Sequence, residues 1–418
     1  MIRGNDVKIR INKNIYLLLF SLILAWATWL KYIIPVPLKS DDVTNILVIL
    51  FLVFVFSNTK KCSKKILNKQ FLLFCGITIT SSISAYILFG QSFFSGIIVM
   101  RHMYIQYAIC LPLLLLIQQK KINSDKLFES VIITIRIAVT LYVLHYLLYT
   151  IVGISILNIS AATYERYGSA RFYFNMTMPV FLICNAFSNI YVGKKRNSNY
   201  YDIIIVLFLI MQVGKMRMTT LSCIAAIMLG LIFTKRMGLK KIIYIIGAVL
   251  VAVLICTYTS MGRDFVNILF GGLNSSSSVD SNSIRQIGRL RHITSFFKSP
   301  VFGLGYPHEN CTAAMREFGT INSYMVNGTE QNIFIGDNGF FDFLYIFGLS
   351  GIVWLISFFG SYLKKSIQMM RKSSISNYFM FLIALIIDMY TEANWFFGGM
   401  LFMGILATLI TTSTDKNR

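Results

Sequence analysis

The sequence predicts an all-α polytopic membrane protein, with about twelve transmembrane helices and one long, partly helical extracytoplasmic loop. Hydrophobic residues make up 56% of the 418 residues, and only 13% are charged. A soluble globular domain carries about 25% charged residues, and a disordered chain is far less apolar. Apolar segments of membrane-spanning length recur from one end of the chain to the other. The composition therefore excludes both a soluble enzyme and a disordered protein.

Twelve apolar segments are the predicted spans. They lie at residues 15–34, 43–57, 71–90, 94–118, 127–152, 172–192, 201–214, 218–234, 241–258, 340–363, 376–391 and 395–412. Several are shorter than the roughly 20 residues that a straight helix needs to cross a bilayer. No small-residue cleavage site follows the first, so we expect this span to be retained rather than removed as a signal peptide. The chain then divides into nine spans in 1–258, a loop at 259–339 and three spans in 340–418.

The basic residues give the predicted orientation. Lys and Arg number 39 and Asp and Glu 17, which leaves a net charge of +22. Most of the basic residues lie in alternate segments between spans, a pattern that places those segments, and both termini, in the cytoplasm. These segments are 1–14, Lys60 to Lys65, Lys120-Lys121, Lys194 to Arg196, Lys235 to Lys241, Lys364 to Lys372 and the tail. The excess charge is thus explained by topology in a lipid bilayer, and nucleic acid is not an expected partner.

The loop at 259–339 is predicted to be a small folded lid, because long unstructured loops are uncommon unless they are functional. Residues 283–300 favour an amphipathic helix, capped by Ser281 or Ser283 and ended by Pro300. One face carries cations and the opposite face is apolar. The cationic face holds Arg285, Arg289 and His292 with Arg291 to the side, and the apolar face holds Ile287, Leu290, Ile293 and Phe297.

Two interpretations of this helix are open. Arginine offers several donors in a planar fork and stays charged, so the cationic face is suited to a diphosphate. Alternatively, the helix lies in the membrane interface and its cations contact lipid headgroups. The Gly-x-Gly in Val301 to Pro307 allows a close approach to a ligand, but a plain turn explains it equally well.

Asp337 and Asn338 stand where the loop meets the tenth predicted span. Either residue is a candidate helix cap. Asp337 is also a candidate general base toward a hydroxyl at the membrane surface.

Further cations lie where the topology predicts the outer face, or within spans. Arg101 lies within the fourth span and is a candidate for a cavity open to that face, whereas Arg136 in the fifth span is expected to pair or to extend toward the cytoplasm. Lys215 and Arg217 occupy one tight link, and Arg171 follows Arg166 in the loop before the sixth span. Cations on this face predict an anionic ligand, such as a lipid diphosphate. The chain has no CxxC and no His/Cys cluster, so neither a metal nor another cofactor is expected.

At these residues the chain resembles the O-antigen polymerase (Wzy-type) and O-antigen ligase membrane proteins. Asp337-Asn338, nine residues, then Gly348-Leu-Ser-Gly351 is similar to the ligase pattern of His-Asn, nine residues, then Gly-x-x-Gly. Arg285 precedes Pro300 by fifteen residues, and Phe302-Gly-Leu-Gly305 follows, as in the family's Arg and Pro-x-x-Gly-x-Gly. Arg217 is similar to the arginine of a Ser-Arg that opens a family span, although Met216 replaces the serine.

The resemblance implies a metal-independent membrane glycosyltransferase of the bacterial cytoplasmic membrane, with its active site facing outward. Such polymerases join undecaprenyl-diphosphate-linked oligosaccharide repeat units into O-antigen, capsule or exopolysaccharide. On this chain Arg217 and Arg285 would hold the diphosphate, with Arg289, Arg291, Arg101, Arg171 and Lys215 as further binding candidates. Asp337 would take the position of the ligase histidine and activate the acceptor hydroxyl, and Asn338 beside it is a further candidate for binding substrate. Flippase and chain-length regulator proteins are the expected protein partners.

Two other functions stay open. A ligase-like enzyme would transfer finished glycan to another acceptor, but Asp337 stands where that enzyme's histidine is expected. A flippase or transporter would show related halves and helices broken near the membrane midplane. Neither feature is visible in the sequence, which favours the polymerase.

Overall fold

The computed structural model describes residues 40–58, 68–157, 170–172, 174–194, 196–233, 281–321, 324–326, 329–373, 376–392 and 394–415. Within these ranges the regular secondary structure is helical apart from one short hairpin, and turns or irregular segments join the elements. The helices are α1 (Ser40–Ser57), α2 (Lys69–Phe89), α3 (Phe93–Val99), α4 (Arg101–Tyr107), α5 (Cys110–Gln118), α6 (Ser124–Val152), α7 (Thr177–Tyr191), α8 (Asn197–Phe208), α9 (Arg217–Ile232), α10 (Ser281–Phe296), α11 (Thr312–Phe318), α12 (Phe340–Ser373), α13 (Asn377–Asp388), α14 (Asn394–Gly398) and α15 (Met400–Asp415). The hairpin pairs β1 (Tyr324–Val326) with β2 (Thr329–Gln331) in antiparallel register.

Three of these helices are long and apolar enough to cross a membrane: Lys69–Phe89, Ser124–Val152 and Phe340–Met370. A fourth span is formed if α3 and the helical segment that follows it, bent by 55°, are counted together. Ten of the twelve predicted spans lie in the described ranges, and each of these coincides with helix. Five of the helices are apolar but shorter than a full span. The predicted spans at 15–34 and 241–258 lie outside the described residues.

The predicted loop at 259–339 contains ordered structure in its described part, which begins at residue 281. The predicted amphipathic helix is confirmed as α10, although it ends at Phe296 rather than at Pro300. Tight turns replace its last residues, because Lys298 and Ser299 each donate a hydrogen bond three residues back. Helix α11 and the hairpin complete this segment.

Helix α12 is broken at Gly348, whose backbone has φ 61° and ψ −153°. The segment Pro300–Gly305 fills the break. Leu304 and Gly305 donate their N–H groups to the carbonyls of Tyr345 and Ile346, at 2.8 and 3.0 Å. The carbonyls of residues 300 and 301 in turn accept hydrogen bonds from the N–H groups of residues 349 and 350, at 2.8 and 2.9 Å. The backbone groups released by the break are therefore paired within the protein, as an apolar surrounding requires.

Broken helices were not visible in the sequence, and the structure corrects this. The fourth predicted span is divided into α3, α4 and α5, and α12 contains the break at Gly348. Hydropathy did not reveal either, because the residues on both sides of each break are apolar. The absence of broken helices consequently no longer distinguishes an enzyme from a transporter.

Two helix groups support the region described below. Helix α13 packs against α7 and α9, and α10 packs along α12, which in turn contacts α2 and α15. Aromatic side chains fill the core beneath the break in α12: the ring centroids of Phe343 and Phe396 are 4.7 Å apart, and those of Phe74 and Trp354 are 5.0 Å apart. This dense packing gives the ends of α12 and α13 a rigid base.

Candidate active site

Helix α10 presents its polar face to the protein and its apolar face outward. Leu290, Ile293 and Phe297 are 61%, 39% and 73% exposed, whereas His292 and Gly288 are buried. An exposed apolar stripe of this kind suits contact with lipid tails. The arginines of α10 consequently contact other segments of the chain. They do not lie on the apolar face that points away from the protein, where lipid headgroups would have to bind.

Arg285 forms an ion pair with Glu392, four residues beyond the end of α13. The two side chains are 3.2 Å apart and only 23% and 14% exposed. Arg289, one turn later, donates to the carbonyl of Tyr390 at 3.4 Å. Its guanidinium also lies over the rings of Phe341 and Tyr390, 5.6 and 5.0 Å from their centroids. The cationic face of α10 is thereby fixed against the segment that follows α13.

Asp342, in the first turn of α12, shapes the turn that carries Asp337. Its carboxylate accepts hydrogen bonds from the N–H groups of Gly336 and Asn338 at 2.7 and 3.1 Å, and from the Asn338 side chain at 3.3 Å. The Nδ1 atom of His292 lies 3.0 Å from the same carboxylate, and both side chains are fully buried. Asp342 thus connects the turn to α10.

Asn338 is buried under α10 at Gly288. A Cβ atom at Gly288 would lie 2.7 Å from the Asn338 amide nitrogen, so a larger residue there would have to displace the Asn338 side chain. Since Asn338 is engaged by Asp342, its predicted role in binding substrate stays a prediction.

Asp337 is half-buried among these groups. Burial raises the pKa of its carboxyl to about 6; the neighbouring charges of Arg285 and Arg171 lower the pKa, and those of Glu392 and Asp342 raise it. Within the described residues no backbone N–H donates to the Asp337 carboxylate, so the geometry does not favour the helix-cap alternative. A carboxyl group with a pKa of about 6 is suited to take a proton near neutral pH.

Arg171 approaches this cluster from the segment before α7. Its Nε donates to the carbonyl of Gly214 at 2.8 Å, which joins it to the link between α8 and α9. Lys215 in the same link is buried and adopts φ 48°, a strained conformation for a side chain with a Cβ. Arg217 is the first residue of α9, and the placement of its side chain lies outside the described part of the chain, as does Arg166.

Two carboxylates at the end of α13 were not singled out from the sequence. Asp388 is buried and accepts a hydrogen bond from Thr219 of α9 at 3.2 Å, and Glu392 pairs with Arg285. Asp388 lies within the predicted span 376–391, so its charge inside an apolar segment was the signal that would have identified it. Glu392 follows that span and carries no comparable signal.

Two predicted arginines have other contacts. Arg291 donates to the carbonyls of Glu317 and Arg316 at the C-terminal end of α11, a position where a positive charge is favourable. Arg101 pairs with Asp42 of α1 at 2.6 Å. Arg136, expected to pair, forms a two-pronged ion pair with Asp202 at 2.6 and 2.7 Å.

The structure therefore pairs Arg285 with Glu392 and places the charges of both, and that of Arg171, close enough to Asp337 to shift its pKa. Arg289 lies one turn from Arg285 on α10. The arrangement combines a carboxyl group with a raised pKa and arginines that are able to bind an anion. Among the described residues, no group of three or more His, Cys, Asp or Glu side chains is arranged to hold a metal ion. Comparison of the chain with known protein families and with characterised proteins finds no match.

Proposed function

We propose that the protein is a membrane glycosyltransferase that polymerises oligosaccharide repeat units carried on undecaprenyl diphosphate at the outer face of the bacterial cytoplasmic membrane. The observation that carries the proposal is the packing of the Asp337-Asn338 turn against α10 at Gly288, one turn from Arg285, whose charge lowers the pKa of Asp337. The family resemblance also pairs Asp337 with Arg285. A half-buried carboxyl with a pKa of about 6 beside arginines offers both a base and an anion site.

In the proposed reaction, Arg285 and Arg171 bind the diphosphate of the growing chain's carrier and stabilise the negative charge that develops as it leaves. Asp337 accepts the proton from a terminal sugar hydroxyl of the incoming repeat unit. The hydroxyl oxygen forms a bond to the anomeric carbon, the bond from that carbon to the diphosphate breaks, and undecaprenyl diphosphate departs. The apolar outward face of α10 is suited to lie against the lipid chain of the carrier.

The test is the length of the surface polysaccharide in a deletion strain that carries wild type, Asp337→Asn or Arg285→Ala. One lost charge-stabilising donor costs about 100- to 1,000-fold in rate, and a lost general base roughly 100- to 10,000-fold. Both variants are therefore expected to leave single repeat units on the lipid carrier and no visible polymer.

Matched controls are Glu309→Gln and Arg316→Ala, which change an exposed acid and an exposed arginine of the same segment. With membrane levels equal by immunoblot, the controls are expected to make polymer of normal length. Normal polymer from Asp337→Asn and Arg285→Ala would remove both residues from the site. Polymer of normal length but wrong attachment in the deletion strain would favour the ligase.

A transporter of lipid-linked oligosaccharides is the second candidate, and the broken helix at Gly348 favours it. In transporters such breaks expose backbone groups to the cargo. Here the chain's own segment Pro300–Gly305 occupies those groups, which favours the enzyme. The two candidates differ in where substrate accumulates: loss of a flippase leaves repeat units facing the cytoplasm, whereas loss of a polymerase leaves them on the outer leaflet.

A further inference from the structure

A cleft lies beside the Arg285–Glu392 pair, between the start of α7, the start of α9 and the end of α13. Its walls are largely apolar, but three polar side chains reach it. The lining residues are Phe174, Met176, Thr177, Val180, Met216, Leu385, Asp388 and Glu392. The cleft has room for about one water-sized group, so it can admit a single hydroxyl of a larger ligand.

Thr177 gives independent evidence that this cleft receives a polar ligand. Its side chain is 1% exposed, and its Oγ1 has no hydrogen-bond partner among the described residues. A buried hydroxyl without a partner is costly and calls for an explanation. Because Thr177 lines the cleft, a hydroxyl or similar group bound there would provide the missing partner.

The polar groups of the cleft specify the chemistry of the ligand. Carboxylates such as those of Asp388 and Glu392 accept hydrogen bonds, whereas the Thr177 hydroxyl both donates and accepts. A ligand hydroxyl also does both, so it can donate to a carboxylate and accept from Thr177. No cation is among the described lining residues of the cleft, whereas Arg285 lies against Glu392, so the anionic part of a substrate belongs on the arginine side of Glu392.

We infer that the cleft is part of the acceptor subsite and holds one terminal hydroxyl of the incoming saccharide, while the rest of the sugar lies outside it; this inference rests on the proposed function. Glu392 separates the two halves of the site. One side of it borders the cleft and its Oε1 lies 3.2 Å from Arg285, where the donor's diphosphate is proposed to bind. The hydroxyl bound in the cleft and the leaving group thus lie on opposite sides of a single carboxylate. The cleft hydroxyl anchors the saccharide, and a second hydroxyl of the same sugar is the one proposed to reach Asp337, whose pKa the charge of Glu392 raises.

The test measures the affinity of two probes for the full-length protein in lipid nanodiscs. One probe is the free oligosaccharide released by mild acid from lipid-linked repeat units that accumulate in the deletion strain. The other is geranyl diphosphate, which carries the diphosphate but no sugar. The variants are Thr177→Val and Glu392→Gln, with Thr134→Val as control, because Thr134 is also buried but bonds within α6.

Thr177→Val is expected to weaken the oligosaccharide about 5-fold and to leave geranyl diphosphate unchanged, since it removes one neutral hydrogen bond. Glu392→Gln is expected to weaken the oligosaccharide by about 10-fold or more. The same change should tighten geranyl diphosphate, because Glu392 no longer competes for Arg285. Thr134→Val should change neither affinity.

Wild-type affinity for the oligosaccharide in Thr177→Val would overturn the subsite and show that the cleft holds only water. The proposed function would survive that result if Arg285→Ala still weakened geranyl diphosphate and abolished polymer. If wild type bound neither probe and the deletion strain made polymer of normal length, the proposed function itself would be wrong, and the subsite with it.

Discussion

Asp337 lies between opposing charges, and this sets its proton affinity. Burial has the largest effect and raises the pKa of Asp337, whereas the positive charges of Arg285 and Arg171 lower it. The resulting pKa is about 6. A diphosphate bound to these arginines would cancel part of their charge. The carboxyl should therefore hold its proton more tightly in the complex than in the free enzyme.

This predicts the pH dependence of polymerisation. A general base works only when deprotonated, so the rate should rise with pH and reach half its maximum near the pKa. We expect kcat/KM, which reports the free enzyme, to fall below about pH 6, and kcat, which reports the complex, to fall at a higher pH. The measurement is polymer formation by purified protein with lipid-linked repeat units between pH 4.5 and 8.5.

Glu309→Gln serves as the control, since this exposed side chain lies in the turn before α11 and its removal should leave both profiles unchanged. A rate that is constant from pH 5 to 8 would contradict the role of Asp337 as the base. The charges of Arg171 and Glu392 would then have no effect on the rate through the protonation of Asp337.

At the scale of single residues, the sequence identified Asp337 and Arg285 but not Glu392, which pairs with Arg285. Asp337 and Arg285 were recognisable because motif spacing and helix periodicity single them out. Glu392 was not, because its importance comes only from the packing of the chain after α13 onto α10. Asp342 and His292 form a buried pair across two segments, and no local pattern in the sequence reports such a contact.

At the scale of elements, Pro300–Gly305 and the break in α12 form one unit. Gly303 and Gly305 adopt φ 74° and 81°, which glycine alone adopts readily. A Cβ atom at Gly303 would lie 2.3 Å from the carbonyl oxygen of Ile346, and one at Gly348 would lie 2.5 Å from the nitrogen of Gly303. The two glycine motifs are explained by a single close backbone contact.

We therefore expect Gly303→Ala and Gly348→Ala to destabilise the protein by at least about 2 kcal/mol, from positive-φ strain together with steric overlap. Their thermal unfolding in detergent should begin at clearly lower temperature than that of wild type. Polymer should shorten as well, because the break lies one helical segment from Asp337.

Gly360→Ala is the matched control in the same helix. Gly360 has no atom within 4 Å of an added Cβ and no positive φ, so alanine should be neutral or stabilise the helix by up to about 1 kcal/mol. Equal melting temperatures for Gly303→Ala and Gly360→Ala would show that the contact with α12 contributes nothing to stability.

This unit also marks the limit of prediction for elements. In the described part of the chain, every span predicted from hydropathy coincides with helix, because hydropathy depends only on the residues of the segment itself. It did not locate the break at Gly348, because the break is stabilised by hydrogen bonds to a segment far away in sequence. The Gly-x-Gly after Pro300 could be read only as a turn or a close approach until its partner was known.

At the scale of the whole molecule, helix length and charge give different kinds of information. Among the described helices, three, or four with the bent pair, are long and apolar enough to span a membrane. Twelve spans were inferred from apolar segments and from basic residues in alternate segments. Breaks and turns shorten the helices of a span without moving the charges at its ends, so the charges remain the better guide to which ends share a side.

The charge pattern yields the last prediction, which concerns sidedness. The segment between α7 and α8 carries Lys194 and should lie in the cytoplasm, whereas Glu309 near α11 should lie outside. Both residues are exposed, so a cysteine at either position should be reachable. In a chain whose seven native cysteines are replaced, a membrane-impermeant maleimide should label Glu309→Cys in intact cells and Lys194→Cys only after the cells are permeabilised. The reverse result would place Asp337 on the cytoplasmic side, where the outer-leaflet carrier is absent, and the polymerase would have to be abandoned for an enzyme that acts before the carrier crosses the membrane.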